Sequence, residues 1–177
     1  ETVKKILEAH QGRENAISAK QIEQPVLLHV DTVKGKGYTP AVQNPDLFHG
    51  IGKFDVETGK PASSGESFSK AFGNAMGELA SEHEDIVALT AAMKSGTGLS
   101  AFAEQFPERF LDVGITEEHA VTTASAMATK GLVPVFAVYS TFLQRCFDQL
   151  VNDTAILGNH VVFAIDRAGI VPDDGVT

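Results

Sequence analysis

Apolar positions along the chain change period several times, and each change marks an element. Val3, Ile6, Leu7 and Ala9 stand at helical spacing, so residues 3–9 predict a short amphipathic helix, which the polar stretch 11–24 continues until Pro25 ends it. Residues 26–33 (Val-Leu-Leu-His-Val-Asp-Thr-Val) form a near-continuous apolar run of strand length, rich in branched side chains, as in a strand covered on both faces. Between 35 and 65 Gly and Pro recur with little periodicity, which reads as a long linker or functional loop. Regular alternation then begins. A helix over 67–82 is expected to bury Phe68, Phe72, Ala75, Met76 and Leu79, and a strand follows at 85–90. Next come a short helix at 100–106 closed by Pro107, a strand at 109–113, and a helix at 117–129 with Thr116 as N-cap and Lys130-Gly131 as terminator. A strand at 132–138 leads into a long helix at 141–157, whose stripe of Leu143, Phe147, Leu150, Val151 and Thr154 is expected to face the core, and 160–165 is a last strand.

Strands alternating with helices predict an α/β fold, a doubly wound and mostly parallel sheet with right-handed crossovers. Ligands on such sheets sit beyond the carboxyl ends of the strands, so residues that follow strands carry most information. Composition narrows the class further. Of 177 residues 43% are hydrophobic and 21% charged, which excludes collagen-like, coiled-coil and strongly disordered chains. The net charge of −9 argues against a groove that tracks nucleic acid, and a single cysteine supplies no internal disulfide framework, so a cytoplasmic setting is expected. No apolar run approaches the roughly 20 residues of a membrane helix. The termini, Glu1-Thr2-Val3 and Gly175-Val176-Thr177, read as cut from a longer chain.

At the strand ends each candidate has two readings. Lys34-Gly35-Lys36-Gly37 sets two lysines in a glycine turn, suited to a phosphate or simply solvated. Residues 91–98 (Ala-Ala-Met-Lys-Ser-Gly-Thr-Gly) allow close backbone approach to a ligand or make an ordinary turn, and they lack the ending of a Walker loop. Glu117 and Glu118 occupy a first helical turn, where the helix dipole favours acidic side chains; burial of Glu117 directly behind an apolar strand would also suit it to carry a proton. His119 belongs to no zinc spacing and reads as a surface or satisfied imidazole, while Cys146 reads as an inert buried thiol. Phe142 stands where an aromatic face meets a ligand ring, and Arg167 suits a salt bridge with a nearby carboxylate.

Several of these segments together resemble one family. Residues 29–38 (His-Val-Asp-Thr-Val-Lys-Gly-Lys-Gly-Tyr), Phe48-His49-Gly50, Lys53-Phe54-Asp55, residues 90–93 with 95–99, residues 112–121 (Asp-Val-Gly-Ile-Thr-Glu-Glu-His-Ala-Val), residues 139–145 (Tyr-Ser-Thr-Phe-Leu-Gln-Arg) and 163–169 are collinear with the 1-deoxy-D-xylulose-5-phosphate synthases, thiamine-diphosphate enzymes of the transketolase superfamily. The resemblance implies condensation of pyruvate with D-glyceraldehyde 3-phosphate, with loss of carbon dioxide, in a homodimer that uses thiamine diphosphate and Mg2+. By the same resemblance Glu117 is the catalytic glutamate at N1′ of the aminopyrimidine, Phe142 stacks on that ring, Ile115 and Met93 are apolar walls, and Lys34 lies near the diphosphate. Tyr139, Arg145, Arg167 and Asp174 are implied to line the substrate side.

Three departures qualify this resemblance. Pro172-Asp173 replaces the family's usual Gly-Ala, Glu118 replaces a common glutamine, and no Gly-Asp-Gly motif with a later Asn is present to hold the metal and diphosphate. Residues 1–60 are therefore expected to be the tail of a diphosphate-binding domain plus linker, and 61–177 most of a pyrimidine-binding domain, inactive when alone. The competing readings are a split transketolase, a 2-oxo acid dehydrogenase β subunit, and a non-catalytic partner-binding domain.

Overall fold

The structure, a computed structural model, describes residues 17–62 and 65–169. Two compact units divide the chain, 1–63 and 64–177. The predicted helix at 3–9 and the departure at Pro172-Asp173 lie outside the described residues.

In the first unit residues 17–20 are helical, but 26–33 form no strand. A fully covered parallel strand needs neighbours to take up its backbone groups. The described part of this unit supplies none, and Leu27, Val30 and Val33 are exposed. The stretch read as a linker is better ordered than its composition suggests. A turn at Lys34–Gly37 leads into helix α1 (Thr39–Gln43), whose early Pro40 presets the first turn, and a 3-10 turn follows at Leu47–His49. An antiparallel bridge joins Phe54 to Pro61. Tyr38, Phe48 and Phe54 pack their rings mutually, with centroids 5.3–6.1 Å apart, and this aromatic cluster is what a scan for periodicity does not detect. Two hydrogen bonds from Thr58 hold the Asp55 carboxyl below its ordinary pKa.

The second unit is the predicted α/β sheet. Helix α2 (Phe68–Glu82) starts at Ser67, whose hydroxyl accepts the Lys70 amide hydrogen. Then follow β1 (Ile86–Thr90), α3 (Ser100–Gln105), β2 (Phe110–Asp112), α4 (Glu117–Ala128), β3 (Val133–Tyr139) and β4 (Val162–Asp166). The four strands are parallel in the order β2-β1-β3-β4. Alternate residues of β1 and β3 enter two cores. Val87, Leu89, Phe136 and Val138 meet Ala120, Val121 and Ala124 of α4, whereas Ala88, Val135 and Ala137 meet Met76, Ala80, Leu99 and Phe102 on the α2/α3 side.

Three local expectations change. On α2 the buried stripe is Gly73, Met76 and Ala80, with Phe68 and Leu79 exposed, because loop 91–98 crosses the helix so closely that Gly73 and Gly98 leave no room for a side chain between them. Thr116 occupies the N-cap position of α4, yet its hydroxyl donates to the Val113 carbonyl and leaves the helix uncapped by its side chain. The long helix after β3 is broken into α5 (Ser140–Leu143), a 3-10 turn (Gln144–Cys146), α6 (Phe147–Gln149) and a π-helical turn (Leu150–Ala155). Each change of winding rotates the later residues, so Phe147 turns outward to 66% exposure while Cys146 is fully buried.

Candidate active site

The strand order reverses about β1 and β3, since the crossover through α3 leads from β1 to β2 on one side and the later strands lie on the other. The crevice outside the carboxyl ends of such a strand pair is where doubly wound sheets hold ligands. Met93 follows β1, Tyr139 ends β3 and Phe142 follows it, so three predicted residues converge there. Met93 is buried, and its sulfur receives the Tyr139 amide hydrogen at 3.5 Å. The Tyr139 and Phe142 rings stack with centroids 6.0 Å apart and planes 26° from parallel.

Glu117, the first residue of α4, is 1% exposed. Its Oε1 accepts a hydrogen bond from the Arg145 guanidinium at 2.9 Å, and the same guanidinium lies 4.9 Å from the Phe142 ring centroid. Its Oε2 is buried and has no hydrogen-bond partner among the described residues. An ionisable oxygen in that state is costly unless something completes it. The arrangement therefore offers a carboxylate with one oxygen committed to Arg145, the residue whose guanidinium also meets the Phe142 ring, and a second buried oxygen without a partner among the described residues.

The remaining predicted residues are placed as follows. The Arg167 guanidinium stacks 4.0 Å from the Tyr139 centroid, and its backbone has the left-handed φ of 56°. Ile115 precedes Glu117 by two residues and is 74% exposed. Lys34 belongs to the first unit, where its Nζ donates to His49 Nδ1 at 2.9 Å. Asp174 lies outside the described residues. His119 is exposed, with Nε2 3.5 Å from the Thr123 hydroxyl, and the Cys146 thiol donates to the Leu143 carbonyl at 3.0 Å with its pKa pushed by burial to about 11. The glycines of loop 91–98 serve packing: Gly96 lies against the Tyr139 hydroxyl and Gly98 against the Ser69 carbonyl. No group of three or more His, Cys, Asp and Glu side chains is gathered for a metal ion among the described residues. Likewise, no described helix is long and apolar enough to cross a membrane.

Reading residues singly missed the hydrogen bonds that tie the strand-end loops together. Ser140 donates to the Arg167 carbonyl at 2.8 Å, Ser69 donates to Asp166 at 2.8 Å, and Asp112 accepts from both Ala92 and Gly114. The available signal was a polar side chain at or beside a strand's last residue, next to a glycine or a helix start.

Comparison with known proteins agrees with this architecture. Residues 65–177 match the transketolase, pyrimidine-binding domain family. Over 163 residues the chain is 56% identical to the 1-deoxy-D-xylulose-5-phosphate synthase of Natranaerobius thermophilus, a match that covers 90% of this chain and 26% of that protein. The Clostridium tetani synthase is 59% identical over 160 residues, covering 90% and 26% respectively. The chain thus spans about a quarter of the length of these relatives. A solved split-gene transketolase, described as an inactive beta4 tetramer, is similar with a TM-score of 0.52 and 32% identity over 56% of this chain and 34% of that one. The likeness to the synthases read from the strand ends extends over nine-tenths of the sequence, and the chain belongs to the transketolase pyrimidine-binding domain family.

Proposed function

We propose that this chain supplies the pyrimidine side of a thiamine-diphosphate site in a synthase that condenses pyruvate with D-glyceraldehyde 3-phosphate to 1-deoxy-D-xylulose 5-phosphate and carbon dioxide. The observation that carries the reading is the unpartnered, buried Oε2 of Glu117, whose other oxygen is held by Arg145, the residue that lies over the Phe142 ring. A protonated heteroaromatic ring nitrogen completes such an oxygen, so the residues present fit an aminopyrimidine. Thiamine diphosphate, when bound, supplies the electron sink for decarboxylation of a 2-oxo acid.

The chain's own residues supply the rest. Glu117 Oε2 accepts and shares the proton of the ring nitrogen, Phe142 offers a stacking face, and the buried Met93 forms the apolar wall, with Ile115 as a further apolar side chain that is exposed in this chain. Arg145 compensates the buried carboxylate. With Tyr139, Arg167 and Asp174 it is assigned to substrate binding, a task for which planar guanidinium groups suit a carboxylate or phosphate. Lys34 serves the diphosphate as a point charge. Residues 1–60 are the tail of the diphosphate-binding domain plus its linker, Mg2+ is held by residues outside this chain, and the whole is a cytoplasmic homodimer. The 177 residues alone are inactive.

The test uses the full-length protein carrying this sequence, supplied with thiamine diphosphate, Mg2+, pyruvate and D-glyceraldehyde 3-phosphate. Formation of 1-deoxy-D-xylulose 5-phosphate is expected, and Glu117→Ala should lower kcat by a factor on the order of 10²–10⁴. Unchanged activity in that variant would remove the proton role. Turnover by the isolated 177 residues would overturn their assigned dependence on the rest. The split-gene transketolase likeness favours a second reading, a split transketolase subunit, and a protein that transfers ketol groups between sugars instead of consuming pyruvate would establish it. A non-catalytic partner-binding domain predicts no cofactor binding, and calorimetry showing none would overturn both enzyme readings.

A further inference from the structure

Asp112 is the last residue of β2 and stands in register with Thr90, the last residue of β1. Its Oδ1 accepts two backbone hydrogen bonds, from Ala92 at 2.8 Å and from Gly114 at 3.0 Å. The two donors belong to different loops. Ala92 adjoins Met93 and has a φ of 59°, a left-handed conformation that an alanine adopts only when its surroundings impose it. Gly114, with φ of 72°, begins the tight turn in which the Thr116 amide donates to the Gly114 carbonyl at 2.8 Å, immediately before Glu117. One carboxylate oxygen thus fixes the loop that carries the thioether wall and the turn that launches the buried acid.

We propose that Asp112 is a positioning residue for the ring site: it sets the separation of Met93 from Glu117, and hence the fit of the pyrimidine between them, without touching the cofactor. This rests on the functional reading above. Charge is not what the clamp needs. An acceptor oxygen at that place suffices, so asparagine should replace aspartate there and alanine should not.

The experiment uses the full-length protein and its Asp112→Ala and Asp112→Asn variants, titrated with thiamine diphosphate in the presence of Mg2+. Binding is followed by calorimetry and by near-UV circular dichroism of the bound cofactor at saturation. Loss of two hydrogen bonds that hold the site should raise Kd about tenfold in Asp112→Ala and change its cofactor band. The asparagine variant should stay within about twofold of the parent. Amide exchange at Ala92 and Gly114 should quicken in the alanine variant only. If Asp112→Ala does not fold, Asp112→Glu carries the test, because it keeps the charge but shifts the oxygen by a methylene; it must weaken binding several-fold. A parent that binds the cofactor, with an alanine or glutamate variant that binds it equally well, overturns this proposal alone. An asparagine variant as weak as the alanine one does the same. A parent that binds no thiamine diphosphate overturns the functional reading and this proposal together.

Discussion

Arg145→Met separates the two ends of the ion pair between Arg145 and Glu117. The partners are unequal: the Glu117 side chain is 2% exposed and that of Arg145 45%. Removing one member of a fully buried pair costs about 3–5 kcal/mol, whereas a pair in water contributes about 0–1 kcal/mol. A buried carboxylate facing a half-exposed guanidinium belongs between these limits, so Arg145→Met should cost about 2 kcal/mol. In a domain of this size that lowers Tm by roughly 8 °C. The reverse deletion should behave differently. In Glu117→Leu the guanidinium turns into water and an apolar side chain fills the vacated space, so stability should stay within about 0.5 kcal/mol of the parent. Thermal unfolding of both variants and of the double variant, followed by near-UV circular dichroism at low ionic strength, measures the asymmetry. If Glu117→Leu is the more damaging substitution, or Arg145→Met leaves Tm unchanged, the reasoning from unequal burial fails.

Three further outcomes follow from packing. Cys146 should resist thiol reagents in the native protein at pH 8, because burial holds its pKa at about 11 against an ordinary 9.0. With a folded-state pKa raised in this way, its contribution to stability is complete below about pH 9 and lost as pH rises towards 11; urea melts should show that decline and Cys146→Ala should abolish it. Gly98→Ala should cost more than about 2 kcal/mol, since its φ is 82° and a β-carbon there meets the Ser69 carbonyl, whereas Gly131→Ala, with φ of 83° and open space, should cost about 1 kcal/mol. Equal denaturation midpoints for the two would contradict the steric argument.

The second unit was legible because period decides it. Four apolar residues in a row at β1 and seven at β3 have few alternatives once helices separate them. Glu117 was legible for a related reason: an acid directly behind an apolar strand has a short list of surroundings. What failed depended on partners that lie far away in sequence. The run at 26–33 has the composition of a strand, but pairing is a property of two segments and composition describes one. The wrong face chosen for α2 came from counting large side chains, when close contact with loop 91–98 selects the glycine face. Similarly, the breaks within 140–155 swing Phe147 outward through a change in residues per turn that no single residue announces. Arg145 was expected on the substrate side, and its bond to Glu117, 28 positions earlier, is visible only in three dimensions.

The sheet has one further property that concerns handling more than chemistry. β4 pairs with β3 on one side, and among the described residues no strand pairs with the other. Among the described residues its outer row of amide and carbonyl groups has no strand partner, and Val162 and Ile165 add apolar surface at 39% and 45% exposure. An open parallel edge is a template for strand addition. Prepared alone and concentrated, this chain will tend to self-associate through that edge, so its solution behaviour should be read at several concentrations before any loss of activity is assigned to the site.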